Sequence, residues 1–223
     1  MRQMQCASLI FDFDSTVVDC ETLDLISEIA LTGRSDKEAV LAEVKRITAL
    51  GMEGAIPFDE SLSRRIALVA PTREAVTLVA ARILDHISTS FRTHADFFSA
   101  RRGSIAIVSG GFDDIIWPVA DQLGIPRELV FANAFRFDGS GVACGVDTAR
   151  PSAQAGGKAR AVAAAGLARP LAIVGDGWTD YEVKECGAAD FFLAYTEHAQ
   201  RDKVVAQADA VVTSLDDIVA LLQ

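Results

Sequence analysis

Residues 8–16 read SLIFDFDST, which is four mainly apolar residues, two aspartates separated by one phenylalanine, and then two hydroxyl side chains. A continuous apolar run of this length is typical of a strand that is buried on both faces of a parallel sheet. We expect the strand to end at Asp12, so that Asp12 and Asp14 both reach a cavity at its carboxyl end. Two carboxylates this close repel each other, so the pair predicts a cation or a proton beside it.

This pattern has two interpretations. The aspartate pair could be catalytic, with Asp12 as a nucleophile that forms an acyl-phosphate and Asp14 as a general acid and base. It could equally be a pair of turn or capping aspartates, because two aspartates separated by a single residue make a short pattern. The choice therefore depends on what the rest of the chain places beside them.

Two more apolar runs have the same format. Residues 105–108 read IAIV and lead into Ser109-Gly110-Gly111, and residues 171–174 read LAIV and lead into Gly175-Asp176-Gly177. Each run is followed by a helix-like segment. This alternation of strand and helix is typical of an open α/β sheet. Because such sheets bind ligands at the carboxyl ends of their strands, we expect these loops to meet the Asp12 segment.

The third loop carries a second carboxylate pair, Asp176 and Asp180, one helical turn apart. Together with Asp12 and Asp14 it would direct four acidic groups into one crevice. Carboxylates and water are the ligands that Mg²⁺ prefers, so the pattern indicates a magnesium site. A helix N-cap formed by Asp176 or Thr179 is the alternative, and it accounts for one pair more easily than for two.

Groups that could bind phosphate occur in two places. Ser109 and Gly110 precede a helix predicted to begin near Asp113, where a hydroxyl and free amides suit phosphate oxygens. Lys158 follows two glycines at the start of an alanine-rich helix and could be the fixed cation that such a site needs. Taken singly, each fits a plain strand–turn–helix or a solvated lysine as well.

Residues 21–86 contain no strand-like run. Their apolar residues recur at helical spacing in four segments, which are separated by turn signals. We therefore predict a four-helix cap over residues 21–86, inserted into an α/β core made of residues 1–20 and 87–223.

Composition excludes several classes of protein. The chain has 223 residues, 50% of them hydrophobic, and a net charge of −10 from 31 acidic and 21 basic residues. This charge balance lacks the excess of basic residues that is typical of a nucleic-acid-binding protein. No apolar run has the features of a membrane span or a secretion signal. The four cysteines have no metal-like or disulfide-like spacing, so we expect free thiols and a cytoplasmic location. We expect a monomer or a homodimer acting on a small molecule.

In this order, the segments at Asp12, Ser109, Lys158 and Asp176 resemble the haloacid dehalogenase superfamily. Within it the chain is similar to the phosphoserine phosphatase family. The second likeness depends on further segments, which are GMEGAIPF at 51–58, VSGGF at 108–112, FAN at 131–133 and GGK at 156–158.

The resemblance implies an α/β fold with a Rossmann-like parallel sheet, and a four-helix cap inserted after the first motif. It also implies hydrolysis of O-phospho-L-serine with Mg²⁺, in which Asp12 becomes the aspartyl-phosphate and Asp14 transfers protons. The implied metal ligands are Asp12, the backbone carbonyl of Asp14, and Asp176, with Asp180 supporting them. The implied phosphate ligands are Ser109, Gly110 and Lys158.

In the cap, the resemblance implies that Glu21 binds the substrate ammonium and Arg65 its carboxylate. A carboxylate matches an ammonium, and the planar guanidinium can bind a carboxylate through two hydrogen bonds. Because Arg64 is adjacent, the two arginines stay alternatives for this role. Met52 and Phe58 would shield the closed site from water. Trp178 departs from the family pattern, which has a small residue there.

Two other functions are compatible with the same core. One is a phosphotransferase, or a phosphatase of the same superfamily acting on another small phosphorylated metabolite, because the core residues would touch only phosphate. The other is a non-catalytic binding protein on the same scaffold. The presence of Asp12, Asp14, Lys158 and Asp176 together argues against the second.

Overall fold

The computed structural model describes residues 4–222, so residues 1–3 and 223 of the predicted core lie outside it. A six-stranded sheet with the order β3-β2-β1-β6-β7-β8 forms its centre, and all neighbouring strands in it are parallel. Its strands are β1 (Ser8–Phe11), β2 (Ile105–Phe112), β3 (Val130–Asn133), β6 (Leu171–Gly175), β7 (Phe191–Tyr195) and β8 (Ala210–Val212).

A separate antiparallel hairpin joins β4 (Phe135–Phe137) to β5 (Ala143–Val146). The sequence predicts a hairpin over residues 131–146, and the structure confirms it from Phe135 onwards. Phe131 instead pairs with Val108 as part of β3. The apolar residues of this segment belong to two consecutive strands, which a single hairpin pattern does not separate.

Helices cover both faces of the sheet and fill the segment between β1 and β2. They are α1 (Thr22–Ala30), α2 (Lys37–Met52), α3 (Phe58–Val69), α4 (Arg73–Arg82), α5 (Thr89–Thr93), α6 (Ala95–Ala100), α7 (Asp113–Leu123), α8 (Gly157–Ala165), α9 (Trp178–Glu185), α10 (Asp202–Val205) and α11 (Leu215–Leu221). Short 3₁₀ turns lie at Ile83–His86, Arg127–Leu129 and Pro151–Ala153.

The three apolar runs are central, adjacent strands. β1 lies between β2 and β6, and Phe11 pairs with Ile107 on one side and with Val174 on the other. These residues are fully buried, as expected for strands covered on both faces. The parallel α/β fold expected from the sequence is therefore confirmed, and the three following loops share one edge of the sheet.

β2 is longer than its apolar run indicates. It continues through Ser109, Gly110 and Gly111 to Phe112, and its register against β3 shifts between Val108 and Phe112. Helix α7 begins at Asp113 as predicted. Ser109 and Gly110 are thus held by a strand with a local irregularity rather than by a free loop.

The four helices α1–α4 leave and rejoin the sheet at one place. There Val18 forms an antiparallel bridge with Ile87, and the Asp19 amide donates to the His86 carbonyl at 2.9 Å. We call residues 17–20 and 86–88 the neck. Beyond it, apolar side chains of α3 such as Leu62 and Ile66 belong to the same buried cluster as Leu9 of β1.

Two further observations bear on the expected class of protein. Across residues 4–222, no helix has the length and apolar character needed to cross a membrane. All four cysteines lie within the described residues and are free thiols, as predicted.

Candidate active site

Asp12 follows β1 at the edge where the loops meet. Its side chain is buried, and Oδ1 accepts a 2.7 Å hydrogen bond from the Phe13 amide. The chain then makes a tight turn over Phe13–Val17. Asp14 is held from the other side, because its carboxylate accepts bonds from the amide and the hydroxyl of Thr22, each at 3.2 Å. The first turn of α1 therefore orients Asp14 toward the site.

Ser15 lets the chain fold back onto itself. Its φ of 53° lies in the left-handed region, which residues other than glycine rarely adopt. In this conformation the Ser15 amide donates to the Cys20 carbonyl at 3.1 Å, and its hydroxyl donates to Oε1 of Glu21 at 2.8 Å. The turn that presents Asp12 and Asp14 thus also fixes the carboxylate of Glu21.

Lys158, in the first turn of α8, connects the turn after β1 to the first turn of α9. Its Nζ donates to Asp12 Oδ2 at 2.8 Å and to Asp180 Oδ1 at 2.6 Å, and all three side chains are buried. Burial alone would lower the pKa of Lys158, but the two carboxylates outweigh it and raise the pKa above its usual value. The lysine is therefore a fixed positive charge beside Asp12.

Asp180 lies in the first turn of α9, where its Oδ2 accepts from the Gly177 amide at 3.1 Å. Burial, with a further contribution from the charge of Asp12, raises the pKa of Asp180 to about 7. A Cβ on Gly175 would lie 2.3 Å from the Asp180 carboxylate. Glycine at position 175 therefore allows this helix to approach the end of β6.

Three carboxylates come close enough to share one cation. One oxygen each of Asp12, Asp176 and Asp180 lies within 4.8 Å of the others. Asp176 Oδ1 is buried and has no hydrogen-bond partner among the described residues. A buried carboxylate oxygen of this kind needs a partner, so these residues fit a hard divalent cation. The side chain of Asp14 lies outside this group.

The phosphate-binding candidates are positioned by local contacts. Ser109 Oγ accepts from the Gly111 amide at 2.8 Å, and Asn133 Nδ2 donates to the Gly110 carbonyl at 2.8 Å. These bonds fix the peptide planes next to the cavity. A Cβ on Gly110 would lie 2.4 Å from the ring of Phe58, so the ring lies directly over this backbone.

A cavity separates the sheet edge from helices α1–α3. The sequence-predicted residues that line it are Asp12, Asp14, Glu21, Met52, Phe58, Arg65, Ser109, Gly110 and Lys158. Asp176 and Asp180 do not line it, although Asp180 contacts Lys158, which does. Catalytic and substrate-binding candidates from both parts of the chain therefore face the same space.

Of the two adjacent arginines, only Arg65 lines this cavity. Its guanidinium donates to the Ser61 carbonyl at 3.3 Å and to the Thr48 hydroxyl at 3.2 Å, and burial lowers its pKa. Arg64 lies at the surface and pairs with Glu60 at 3.2 Å. Residue 65 falls on the buried face of α3 and residue 64 does not.

Both carboxylates on the α1 side have altered acidity. Burial, followed by the charges of Glu21 and Asp12, raises the pKa of Asp14 well above its usual value. Burial likewise raises the pKa of Glu21, although Ser15 and Arg201 oppose it. A raised pKa favours the protonated form of a carboxyl group, which suits Asp14 to donate a proton.

One residue of the site was not predicted from the sequence. Arg201, in the segment between β7 and α10, contacts the Asp176 carboxylate and lies 3.9 Å from Glu21 Oε1. No motif surrounds it, and it reaches the site only because β7 is adjacent to β6. Trp178 lies against Gly54 of the α2–α3 connection, where a Cβ would be 2.8 Å from the indole.

Comparison with known proteins agrees with this geometry. The haloacid dehalogenase-like hydrolase family matches residues 9–184. A chloroplastic phosphoserine phosphatase of Arabidopsis thaliana is 34% identical over 95% of this chain and 70% of its own length. A phosphoserine phosphohydrolase-like protein from Francisella tularensis has a TM-score of 0.86 and 32% identity, covering 99% of this chain and 100% of its own.

A third similar structure is described as a phospho-aspartyl intermediate analogue of phosphoserine phosphatase. It has a TM-score of 0.78 and 26% identity, and the match covers 99% of this chain and 100% of that one. The family match spans most of the chain, and the likeness to phosphoserine phosphatases extends over nearly its whole length. This chain therefore belongs to the haloacid dehalogenase-like hydrolase family, in the branch formed by its phosphoserine phosphatase relatives.

Proposed function

We propose that this chain hydrolyses O-phospho-L-serine to L-serine and inorganic phosphate, with Mg²⁺, through an aspartyl-phosphate on Asp12. The observation that carries the proposal is the cavity shared by Asp12 and Lys158 on the sheet side and by Glu21 and Arg65 on the helical side. Phosphoserine carries a phosphate, an ammonium and a carboxylate. The cavity offers a charge of opposite sign for each of them.

The covalent chemistry uses two side chains. An Asp12 oxygen attacks phosphorus while the bond from phosphorus to the serine oxygen breaks, and Asp14 donates its proton to the departing oxygen. Asp14 then takes a proton from water, whose oxygen attacks phosphorus and releases phosphate, which restores Asp12. The raised pKa of Asp14 supports its role as the acid. The similar structure with a phospho-aspartyl analogue supports Asp12 as the nucleophile.

Asp12, Asp176 and the backbone carbonyl of Asp14 would hold the Mg²⁺, with Asp180 supporting them. The ion would offset the negative charges of phosphate and carboxylates that otherwise repel each other. The buried, unpartnered Oδ1 of Asp176 supports a cation at this place.

Phosphate oxygens would be bound by the Ser109 hydroxyl, the Gly110 amide and the Lys158 ammonium. Lys158 supplies a positive charge that is already buried and oriented beside Asp12. Neither the lysine nor the surrounding water therefore has to reorganise during the reaction. Its pKa, raised by the adjacent carboxylates, keeps it protonated at neutral pH.

The helical side would recognise the amino acid. Glu21 would bind the ammonium and Arg65 the carboxylate, while Met52 and Phe58 would exclude water from the closed cavity. We assign residues 21–86 to this cap and residues 1–20 and 87–223 to the catalytic core. The bridge between Val18 and Ile87 supports the boundaries, because it brings both ends of the insert together.

The test is phosphate release with Mg²⁺ from L-phosphoserine, D-phosphoserine, phosphothreonine, phosphoethanolamine, a sugar phosphate and p-nitrophenyl phosphate. We expect a strong preference for L-phosphoserine that disappears in Asp12→Asn. Equal activity on all six compounds would overturn the assignments of Glu21 and Arg65. If an added alcohol receives more phosphate than water does, the chain is a phosphotransferase. If no compound is turned over, the non-catalytic binding protein is the remaining alternative.

We also propose that the chain acts in the cytoplasm as a monomer or a homodimer, on a small phosphoester and without nucleic-acid or membrane partners. Size-exclusion chromatography with light scattering measures the oligomeric state. A mass above that of two chains would contradict it.

A further inference from the structure

A second group of metal-binding side chains lies at the neck, away from the cavity. Asp19 and Cys20 lie on the segment that leaves the sheet, and His86 ends the 3₁₀ turn on the segment that returns. His86 Nδ1 is 2.8 Å from Asp19 Oδ1, and one donor atom from each of the three residues lies within 4.8 Å of the others. The two segments of the neck therefore meet in a cluster with one sulfur, one nitrogen and one oxygen donor.

The thiol of this cluster differs from the other three. Cys6, Cys144 and Cys186 each donate a hydrogen bond to a backbone carbonyl. No hydrogen bond from the Cys20 thiol is found among the described residues, and this side chain is only partly buried. Its sulfur is therefore free to bind a ligand.

The cluster is accessible and lies in a negative environment. The side chains of Asp19 and His86 are 48% and 34% exposed, so an ion can reach them from solvent. Burial, followed by the charges of Asp14 and Asp19, raises the pKa of the Cys20 thiol far above its usual value. The carboxylates that disfavour a bare thiolate here favour a divalent cation that would neutralise it.

We propose that Asp19, Cys20 and His86 form a second metal site, selective for Zn²⁺ or a similar soft divalent ion and separate from the magnesium site. A thiolate, an imidazole and a carboxylate are the donors that Zn²⁺ prefers, whereas Mg²⁺ prefers oxygen alone. Tetrahedral bonds of about 2.0–2.3 Å separate ligand atoms by roughly 3.3–3.6 Å. The spacing of the cluster needs small side-chain movements to reach that distance.

Binding balances as a simple exchange of protons for metal. The Cys20 thiol loses its proton to solvent, and Nδ1 of His86 gives up the hydrogen it now shares with Asp19 and keeps the ring neutral with a proton on Nε2. Water completes the fourth position. The site thus has the three protein ligands and one open position that a zinc ion accepts.

A metal here would tie together the two ends of the helical insert. Glu21 directly follows Cys20, so the same ion would restrict the backbone of a residue that we assign to substrate binding. Slower turnover in the presence of Zn²⁺ is the expected consequence. This part alone depends on the proposed function; the metal site does not.

The direct test is titration of the Mg²⁺-saturated protein with Co²⁺, which reports a thiolate ligand through a near-ultraviolet charge-transfer band. Zn²⁺ affinity is measured in parallel by competition with a coloured chelator. We expect one equivalent of Co²⁺ to produce the band and excess Zn²⁺ to remove it. Cys20→Ser should abolish the band, and His86→Gln should weaken Zn²⁺ binding at least about a hundredfold.

Two control variants make the result decisive. Cys144→Ser removes an exposed thiol of the hairpin and should leave the band unchanged. Asp176→Asn removes a carboxylate of the magnesium site and should also leave it unchanged. A band that survives Cys20→Ser, or no band in the unmodified protein, would overturn the proposed site. Because the band is independent of turnover, the outcome stands even if no phosphatase activity is found.

Discussion

The two walls of the cavity are built differently. On the sheet side, Lys158 pairs with Asp12 and Asp180 at 2.8 and 2.6 Å, so that opposite charges neutralise each other within the wall. On the helical side, Glu21 and Arg65 are hydrogen-bonded mainly to neutral groups, the hydroxyls of Ser15 and Thr48 and a backbone carbonyl. The nearest cationic group to Glu21 is Arg201, at 3.9 Å.

This contrast separates two tasks. Charges that are paired within the wall are fixed before the substrate arrives, which is the arrangement that favours transition-state stabilisation. Charges that lack a close ionic partner can still gain one from the substrate, which favours recognition. Changes on the sheet side should therefore affect every phosphoester, whereas changes on the helical side should affect mainly the amino-acid substrate.

The largest effect is expected for Asp12→Asn. Loss of the nucleophile should lower kcat by about 10⁴-fold or more for both L-phosphoserine and p-nitrophenyl phosphate. Steady-state kinetics checks the rate, and circular dichroism confirms folding. Near-normal turnover of either compound would show that the sheet side does not act through a covalent intermediate.

Lys158→Met should have the largest effect on stability. It leaves the buried carboxylates of Asp12 and Asp180 together without a cation, and removal of one partner of a buried pair costs about 3–5 kcal/mol. Urea unfolding in cation-free buffer measures the change. The matched control is Lys184→Met, because Lys184 pairs with Asp209 at 2.7 Å but is partly exposed. Lys184→Met should lower the free energy of unfolding by about 1 kcal/mol or less. Equal losses in the two variants would contradict the special role of the buried Lys158 pairs.

Arg65→Ala tests the helical side. Loss of a charge-assisted bond to the substrate carboxylate should lower kcat/KM for L-phosphoserine by about a hundredfold, since such bonds contribute roughly 2–3 kcal/mol. The value for p-nitrophenyl phosphate should change by less than about threefold. Arg64→Ala, at the surface of the same helix, should change neither. Equal losses on both compounds would make Arg65 a structural residue.

The remaining effect concerns pH. The folded-state pKa of Asp180 is raised from 3.8 to about 7, so its contribution to stability is complete below pH 4 and is lost as the pH rises toward 7. The free energy of unfolding in cation-free buffer should therefore fall across this window, by at most about 1.4 kcal/mol per pH unit from this group. Asp180→Asn should flatten the profile measured by urea titrations, and an unchanged slope would contradict the assignment.

Much of the sheet could be predicted because its strands carry strong local signals. The runs at residues 8–11, 105–108 and 171–174 are apolar, and each leads into a loop with a carboxylate or hydroxyl. β7 was not predicted although Phe191–Tyr195 is equally apolar. It is followed by Thr196 and Glu197, a hydroxyl and a carboxylate side chain, so its local signal matches that of the three predicted strands.

The site residues that could not be predicted depend on tertiary neighbours. Arg201 reaches Asp176 only because β7 lies beside β6 in the sheet, and strand order is not a local property. The choice between Arg64 and Arg65 depends on which face of α3 turns inward. The position of Asp180 relative to Lys158 follows from helices α8 and α9 packing beside each other.

The geometry of the neck affects how such a protein can evolve. Val18 and Ile87 face each other in a bridge, whose hydrogen bonds join Asp19 to His86 and Ser88 to Val17. A segment inserted there therefore starts and finishes at nearly the same point of the sheet. An insertion with adjacent ends leaves the register of β1 and β2 undisturbed, whatever its length. Gene rearrangements could therefore exchange the segment between Val18 and Ile87 for another one while the phosphate chemistry is retained. New substrates would then be acquired without rebuilding the catalyst.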